Sequence, residues 1–314
     1  MKVLVTGANG FVGAWLVRGL VASGHEVVGA VGRDGAGPDP DPALQGVAWL
    51  PLDLQDPRSV TMVAAHATDA VIHLAGVASV GDSLADPIAT WQVNTLGTVR
   101  LLEALAALRQ RGEVDPLGLT ISTGEVYGPG EARPRRETDP ITPVSPYAAS
   151  KAAAEVGALE IARRTGLRVM VARPFPHTGP GQSPRFVAPA FASRLALARR
   201  TGSPVVKTGS LEPVRDLLDV RDVVAAYLAL LEHGVPGAIY NVARGEGLSV
   251  GELFRQLAAL AGCAVIPEFD HALARPVDIP HLVGDASLLR ATTGWAPTRN
   301  LNETLRELLD AQTD

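Results

Sequence analysis

One stretch constrains the fold more than any other: Met1 to Gly32, MKVLVTGANGFVGAWLVRGLVASGHEVVGAVG. Lys2 to Thr6 is an apolar run long enough for a buried strand. A turn with Gly7, Gly10 and Gly13 spaced three apart follows at once. Then comes a helical pattern, Phe11, Val12, Trp15, Leu16, Gly19 and Leu20, and a second apolar run from Glu26 to Val31. Strand, tight turn, helix and strand in this order let the backbone approach a phosphate. The helix N-terminus adds free N–H groups and a partial positive charge. Gly7, Asn9, Gly10, Phe11, Val12 and Gly13 are therefore candidate dinucleotide-binding residues. The alternative is an ordinary βα turn rich in glycine.

The alternation continues. Val47 to Leu54, Ala70 to Leu74, Leu117 to Thr123 and Leu167 to Arg173 read as strands. Pro57 to Ala67, Asp86 to Arg109 and Tyr147 to Arg164 read as helices, the second as one long helix. This predicts an α/β chain: a Rossmann-type doubly wound parallel sheet with a smaller C-terminal substrate-binding lobe. The expected division is 1–173, with 218–242 returning to it, and 174–217 plus 243–314 for the lobe. Ligands on such sheets bind beyond the carboxyl ends of the strands. In the second half of the chain, helical patterns lie at Phe186 to Arg200, Arg221 to His233, Val250 to Ala261 and Leu301 to Leu309.

An acid ending the second strand bonds the ribose 2′-OH of NAD, whereas an arginine there suits the 2′-phosphate of NADP. That strand ends Val31-Gly32-Arg33-Asp34. Arg33 favours NADP(H). Asp34, as a ribose ligand or as a partner for Arg33, keeps NAD(H) open. Asp53 could accept from an adenine amino group or cap the helix that follows.

Tyr147 and Lys151 stand four apart at a helix start, on one face. The chain has only three lysines, at 2, 151 and 207. A free tyrosine has a pKa of about 10. A neighbouring ammonium should lower it, so that the phenol exchanges a proton near neutral pH. Ser122-Thr123 ends a strand at the same edge and offers a hydroxyl. The alternative is an exposed tyrosine beside a solvated lysine.

On the runs TGANGFVG (6–13), Asp53-Leu54, His73-Leu74-Ala75-Gly76, Asn94 in VNTLGT, Thr123 in STGEVYG, and Tyr147/Lys151, the chain resembles the extended short-chain dehydrogenases/reductases along essentially its whole length. The resemblance implies a catalytic triad of Thr123, Tyr147 and Lys151. In it Tyr147 is the acid/base, Lys151 tunes it and holds the nicotinamide ribose, and Thr123 orients the substrate. It also implies cofactor contacts from Leu54, Leu74, Ala75, Gly76 and Asn94. The stretches RPFPHTGPGQSPRFVAPAF, VVKTGSLEPVRDLLDVRDVV and LARPVDIPHLVGDASLLRATTGWAP are most similar to the GDP-4-keto-6-deoxymannose reductase branch. Arg185, Lys207, Arg215 and Arg275 would then lie along the substrate's nucleotide and pyrophosphate, with His177 nearby. The run Phe175-Pro176-His177 carries proline where that branch has asparagine. Glu125, two residues after Thr123, holds the place of the base in the related 4,6-dehydratases.

The expected function is NADPH-dependent reduction of the C4 keto group of a GDP-4-keto-6-deoxy sugar. The alternatives are a GDP-mannose 4,6-dehydratase, a nucleotide-sugar 4-epimerase, or a dinucleotide-binding sensor. A net charge of −5 argues against nucleic acid as the main ligand. No apolar stretch is long enough to span a bilayer, no metal-ligand spacing occurs, and the single Cys263 fits a reducing compartment. The expectation is a cytoplasmic enzyme without a metal. The small-residue helix 147–164, apolar nearly all round, and the helix 86–109 would pair two copies as a homodimer.

Overall fold

The computed structural model describes residues 1–32, 42–274 and 278–312. Its elements follow the predicted alternation. They begin β1 (Lys2–Thr6), α1 (Phe11–Ala22), β2 (Glu26–Val31), β3 (Ala48–Pro51), α2 (Pro57–Ala64) and β4 (Ala70–His73). Next come two short helices, α3 (Val80–Ala85) and α4 (Pro87–Trp91), then a π-helical turn over Gln92–Leu96 and α5 (Gly97–Gln110). The single long helix expected over 86–109 is thus interrupted. Asp86 caps α4, its side chain accepting from Ala89 N, and the helix widens by one residue per turn before α5 begins. Periodicity alone cannot reveal such a bulge, which is held by tertiary hydrogen bonds.

The chain continues through β5 (Leu117–Ile121), α6 (Pro146–Thr165), β6 (Arg168–Pro174), β7 (His177–Thr178), α7 (Val187–Thr201), β8 (Val205–Thr208), β9 (Val214–Asp216) and β10 (Leu218–Asp219). It ends with α8 (Val220–His233), β11 (Ile239–Val242), β12 (Gly247–Ser249), α9 (Val250–Leu260), β13 (Ile266–Phe269), β14 (His281–Leu282), α10 (Ser287–Thr293) and α11 (Leu301–Asp310).

Seven strands form one sheet in the order β11-β6-β5-β4-β1-β2-β3, and every neighbouring pair is parallel. Their buried runs, such as Val3-Leu4-Val5 and Val169-Met170-Val171, are apolar on both faces, as helices on both sides require. Leu16, Leu20, Val223 and Tyr227 of α1 and α8 fill one face. Val60, Leu101, Leu105 and Ile161 of α2, α5 and α6 fill the other. A third core joins α7, α9 and α11 through Phe191, Phe254, Leu257 and Leu305. Strand β11 belongs to the large sheet although it follows β7–β10 in the chain. Among the described residues, no helix is long and apolar enough to cross a membrane.

Candidate active site

The glycine turn is packed too tightly for side chains. Gly7 has φ +71°, and a Cβ there would lie 2.8 Å from Ala75 N; one on Gly13 would lie 2.1 Å from Gly7 O. The turn is therefore wedged between α1 and the exit of β4. Gly10 caps α1 without a side-chain hydrogen bond, and no acid sits in the first turn. That is the cradle a dinucleotide pyrophosphate needs. Phe11, the first helical residue, stacks on His177 with centroids 6.2 Å apart and planes 8° from parallel.

Behind the turn, four hydrogen bonds fix one histidine. The Thr98 hydroxyl donates to Asn94 O at 2.6 Å, so it accepts from His73 Nε2 at 3.0 Å. His73 Nδ1 then accepts the Thr6 hydroxyl at 2.7 Å, and Thr6 Oγ1 accepts Ala75 N–H at 3.2 Å. Burial and, less strongly, the Lys151 charge bring His73 down to about 3. Asn94, on the π turn, accepts Val77 N–H at 2.8 Å and donates to Val77 O and Ser150 Oγ at 3.1 and 3.0 Å. Gly76 passes so close that a Cβ would meet Asn94 Oδ1 at 2.7 Å and Lys151 Nζ at 3.5 Å. The expected contacts at 74–76, Asn94 and Lys151 are brought together here.

Helix α6 starts on a Ser145 cap, its side chain accepting from Ala148 N, with Pro146 in the first turn. This sets Tyr147 one turn before Lys151. The Lys151 ammonium donates to Ile121 O at 2.9 Å. Burial lowers it to about 8, with Glu155 opposing. Burial and the Glu125 carboxylate, opposed by the neighbouring Thr123 side chain, push the Tyr147 phenol well above its ordinary value. This corrects the expectation that Lys151 makes it a readily ionised phenol: the ammonium is engaged by a backbone carbonyl, and desolvation dominates. Thr123 Oγ1 accepts from Glu125 N at 3.2 Å, which fixes the hydroxyl.

A narrow pocket flanks this group, lined by Val80, Glu125, Ser145, Ala148, Arg215 and Leu282 among others. Arg215 reaches it from β9, donating to Ile279 O at 2.7 Å and pairing with Asp278. The other expected substrate cations fare differently. Arg185 is exposed and pairs with Asp82 at 3.1 Å. Lys207 pairs with Asp270 at 3.2 Å on β8 and is not among the pocket's lining residues. His177 lies against Phe11, its Nδ1 donating to Phe175 O at 2.9 Å, and burial lowers its pKa. Leu54 is buried, its side chain against Gly97. Asp53 accepts Gln55 N–H at 2.8 Å, and Asp56, not Asp53, caps α2. Arg33, Asp34 and Arg275 lie outside the described residues.

Sequence reasoning missed the polar layer beneath the site: Glu155, Arg173 and Ser150. Its one visible signal was Glu155 standing four residues after Lys151 in an alanine-rich helix.

Compared with known proteins, residues 4–308 match the family described as GDP-mannose 4,6 dehydratase. The chain is 37% identical to GDP-6-deoxy-D-mannose reductase of Pseudomonas aeruginosa, covering 98% of this chain and 96% of the other. Among solved structures, RMD from Pseudomonas aeruginosa complexed with NADPH aligns with a TM-score of 0.83 at 36% identity, over 99% of this chain and 98% of that one. A Thermus thermophilus UDP-glucose 4-epimerase complex with NAD aligns with a TM-score of 0.86 at 34% identity, over 100% and 99%.

Proposed function

Because the chain belongs to the GDP-mannose 4,6-dehydratase family of extended short-chain dehydrogenases/reductases, we propose that it reduces the C4 keto group of a GDP-4-keto-6-deoxy sugar with NADPH. The observation that carries this reading is the Tyr147 phenol beside the Thr123 side chain, one turn before a buried Lys151 seated on Ile121 O. A phenol held above its ordinary pKa arrives protonated at neutral pH, which suits a proton donor to a ketone. The 37% identity to a GDP-6-deoxy-D-mannose reductase, higher than to the epimerase, supports reductase over epimerase.

The glycine turn, Leu74 to Gly76, Asn94 and Lys151 would hold the dinucleotide, with residues 1–173 and 218–242 as the cofactor unit. NADP(H) is favoured through Arg33. Bound nicotinamide supplies the hydride. Thr123 donates a hydrogen bond to the substrate O4, and Tyr147 gives that oxygen its proton. Lys151 holds the ribose and stabilises the phenolate left behind. Arg215, at the pocket wall, suits a diphosphate once released from Asp278; residues 174–217 and 243–314 would form the substrate unit.

One observation favours a second reading. Glu125 is close enough to Tyr147 to raise its pKa, the placement a 4,6-dehydratase needs for a base.

The deciding experiment follows absorbance at 340 nm with NADPH and GDP-4-keto-6-deoxymannose made in situ. NADPH loss that disappears in Tyr147→Phe supports the reductase. Conversion of GDP-mannose to a keto product without net cofactor use overturns it in favour of the dehydratase. Silence in both assays turns attention to another nucleotide sugar and an epimerase.

A homodimer is part of the same reading. Ile88, Trp91 and Leu96 stay exposed on the α4–α5 segment, and Val156 is 67% exposed on α6. The single chain leaves that strip of the small-residue helix open, and a second copy would cover it.

A further inference from the structure

Three consecutive residues at the end of β5 meet three successive turns of α6. Ile121 O accepts from Lys151 at 2.9 Å, the Ser122 hydroxyl donates to the Glu155 carboxylate, and the Thr123 side chain lies beside Tyr147. Tyr147, Lys151 and Glu155 recur every four residues, so they share one helix face. Glu155 is 1% exposed, and so is Arg173. Arg173 grips both carboxylate oxygens: Nη2 to Oε2 at 2.6 Å, Nε to Oε1 and Oε2 at 3.0 and 3.2 Å. Its Nη1 donates to the Tyr127 hydroxyl at 2.9 Å, which donates in turn to Asn241 Oδ1 at 2.7 Å. Arg173, itself on β6, is thereby anchored through Tyr127, at the end of the 3-10 turn Gly124–Tyr127, to Asn241 of β11. The carboxylate that Arg173 holds belongs to a residue one turn after the buried Lys151.

We propose that Glu155 is a positioning residue for Lys151: clamped by Arg173 and Ser122, its carboxylate keeps the Lys151 ammonium charged and seated at Ile121 O.

Burial alone drives a lysine towards its neutral form, and the ion–dipole contact to one carbonyl is weak compensation. On α6, Tyr147 and Glu155 stand four residues to either side of Lys151, His73 of β4 is close enough to feel the ammonium charge, and Arg173 of β6 grips Glu155. Tyr147 and His73 are neutral at working pH, which leaves Glu155 as the negative charge of this set. The Arg173 clamp stops the carboxylate from swinging away. The catalytic consequence rests on the role proposed for Lys151 above; the charge relation itself does not.

Three lysines make the test direct. Lysine labelled with 13C at Cε in the ligand-free protein gives resonances for Lys2, Lys151 and Lys207, assigned with Lys2→Arg and Lys207→Arg. Wild-type Lys151 should titrate near pH 8. In Glu155→Gln its midpoint should fall by about one pH unit or more. A midpoint unchanged in the folded variant overturns the proposal. Should Glu155→Gln fail to fold, Glu155→Gln/Arg173→Met removes both charges together and leaves neither buried alone. The midpoint must fall there as well, and a rise or no change overturns the proposal. The alkaline limb of kcat should move down with the Lys151 midpoint in Glu155→Gln and return in Glu155→Asp. A purely structural role would lower Tm without moving either. The titration needs no substrate, so its outcome is separate from that of the reductase assay.

Discussion

His73 owes its single protonation state to its neighbours: Thr6 donates to one ring nitrogen, and Thr98 accepts from the other. Its pKa of about 3 lies below the value of about 6.5 in an unfolded chain. As pH falls from 6.5, the unfolded chain takes a proton that the native ring refuses, so native stability is lost. The stability advantage of wild type over His73→Asn should shrink by about 1.4 kcal/mol per pH unit between pH 6.5 and pH 3. Urea unfolding at a series of pH values measures this. Asn94→Ala strips partners from Val77 N–H and the Ser150 hydroxyl and should cost about 1–3 kcal/mol, read in the same urea midpoints. Lys151 could be picked from sequence because lysine is so rare in this chain. The state of Tyr147 could not: burial comes from the whole fold, and Glu125 reaches the phenol only through the turn after β5. Arg185 and Lys207 looked like phosphate ligands by residue type, but their carboxylate partners, Asp82 and Asp270, lie 103 and 63 positions away.

The strand–turn–helix unit at the N-terminus shows how an element can be specified by what it lacks. Gly13→Ala would drive a methyl group into Gly7 O, 2.1 Å from its ideal position, and neither backbone can yield. Gly32, just after β2 and with nothing within 4 Å of an added Cβ, offers a control. Gly13→Ala should lower Tm by many degrees and abolish dinucleotide binding measured by NADPH fluorescence, while Gly32→Ala should leave Tm within a few degrees. The principal strands and helices were legible because their patterns are local: period 3.6 in α1, α8 and α9, a small-residue run after Ser145-Pro146 in α6, and buried runs in β1, β2 and β6. The two-residue strands β7, β10 and β14 were not, because pairing with distant chain creates them. The π turn escaped for a related reason. Asn94 and Thr95 there bond Ser150, 56 and 55 residues on, and a window of sequence contains no trace of that partner.

At the scale of the molecule, two hydrophobic cores lie on the two faces of one sheet, a third joins α7, α9 and α11, and Ile88, Trp91, Leu96 and Val156 leave an apolar strip on the outside. If that strip pairs two copies, Val156→Lys should convert a dimer to a monomer in sedimentation velocity with little change in Tm, since the site is open to solvent in the single chain. Retention of the dimer in Val156→Lys would place the contact elsewhere. The sheet has a further consequence, for synthesis on the ribosome. Strand β6 is complete at Pro174, yet the strand that covers its outer edge, β11, ends only at Val242. At about 5–20 residues per second, the edge stays bare for roughly 3–14 s while the intervening chain is made. A nascent chain arrested in that interval exposes an apolar strand with free N–H and C=O groups, a template for pairing with its neighbours on a polysome. Chaperone demand should therefore peak for nascent lengths between these two strands and fall once residue 242 has cleared the exit tunnel, a profile that ribosome-bound chaperone footprinting along the message would display.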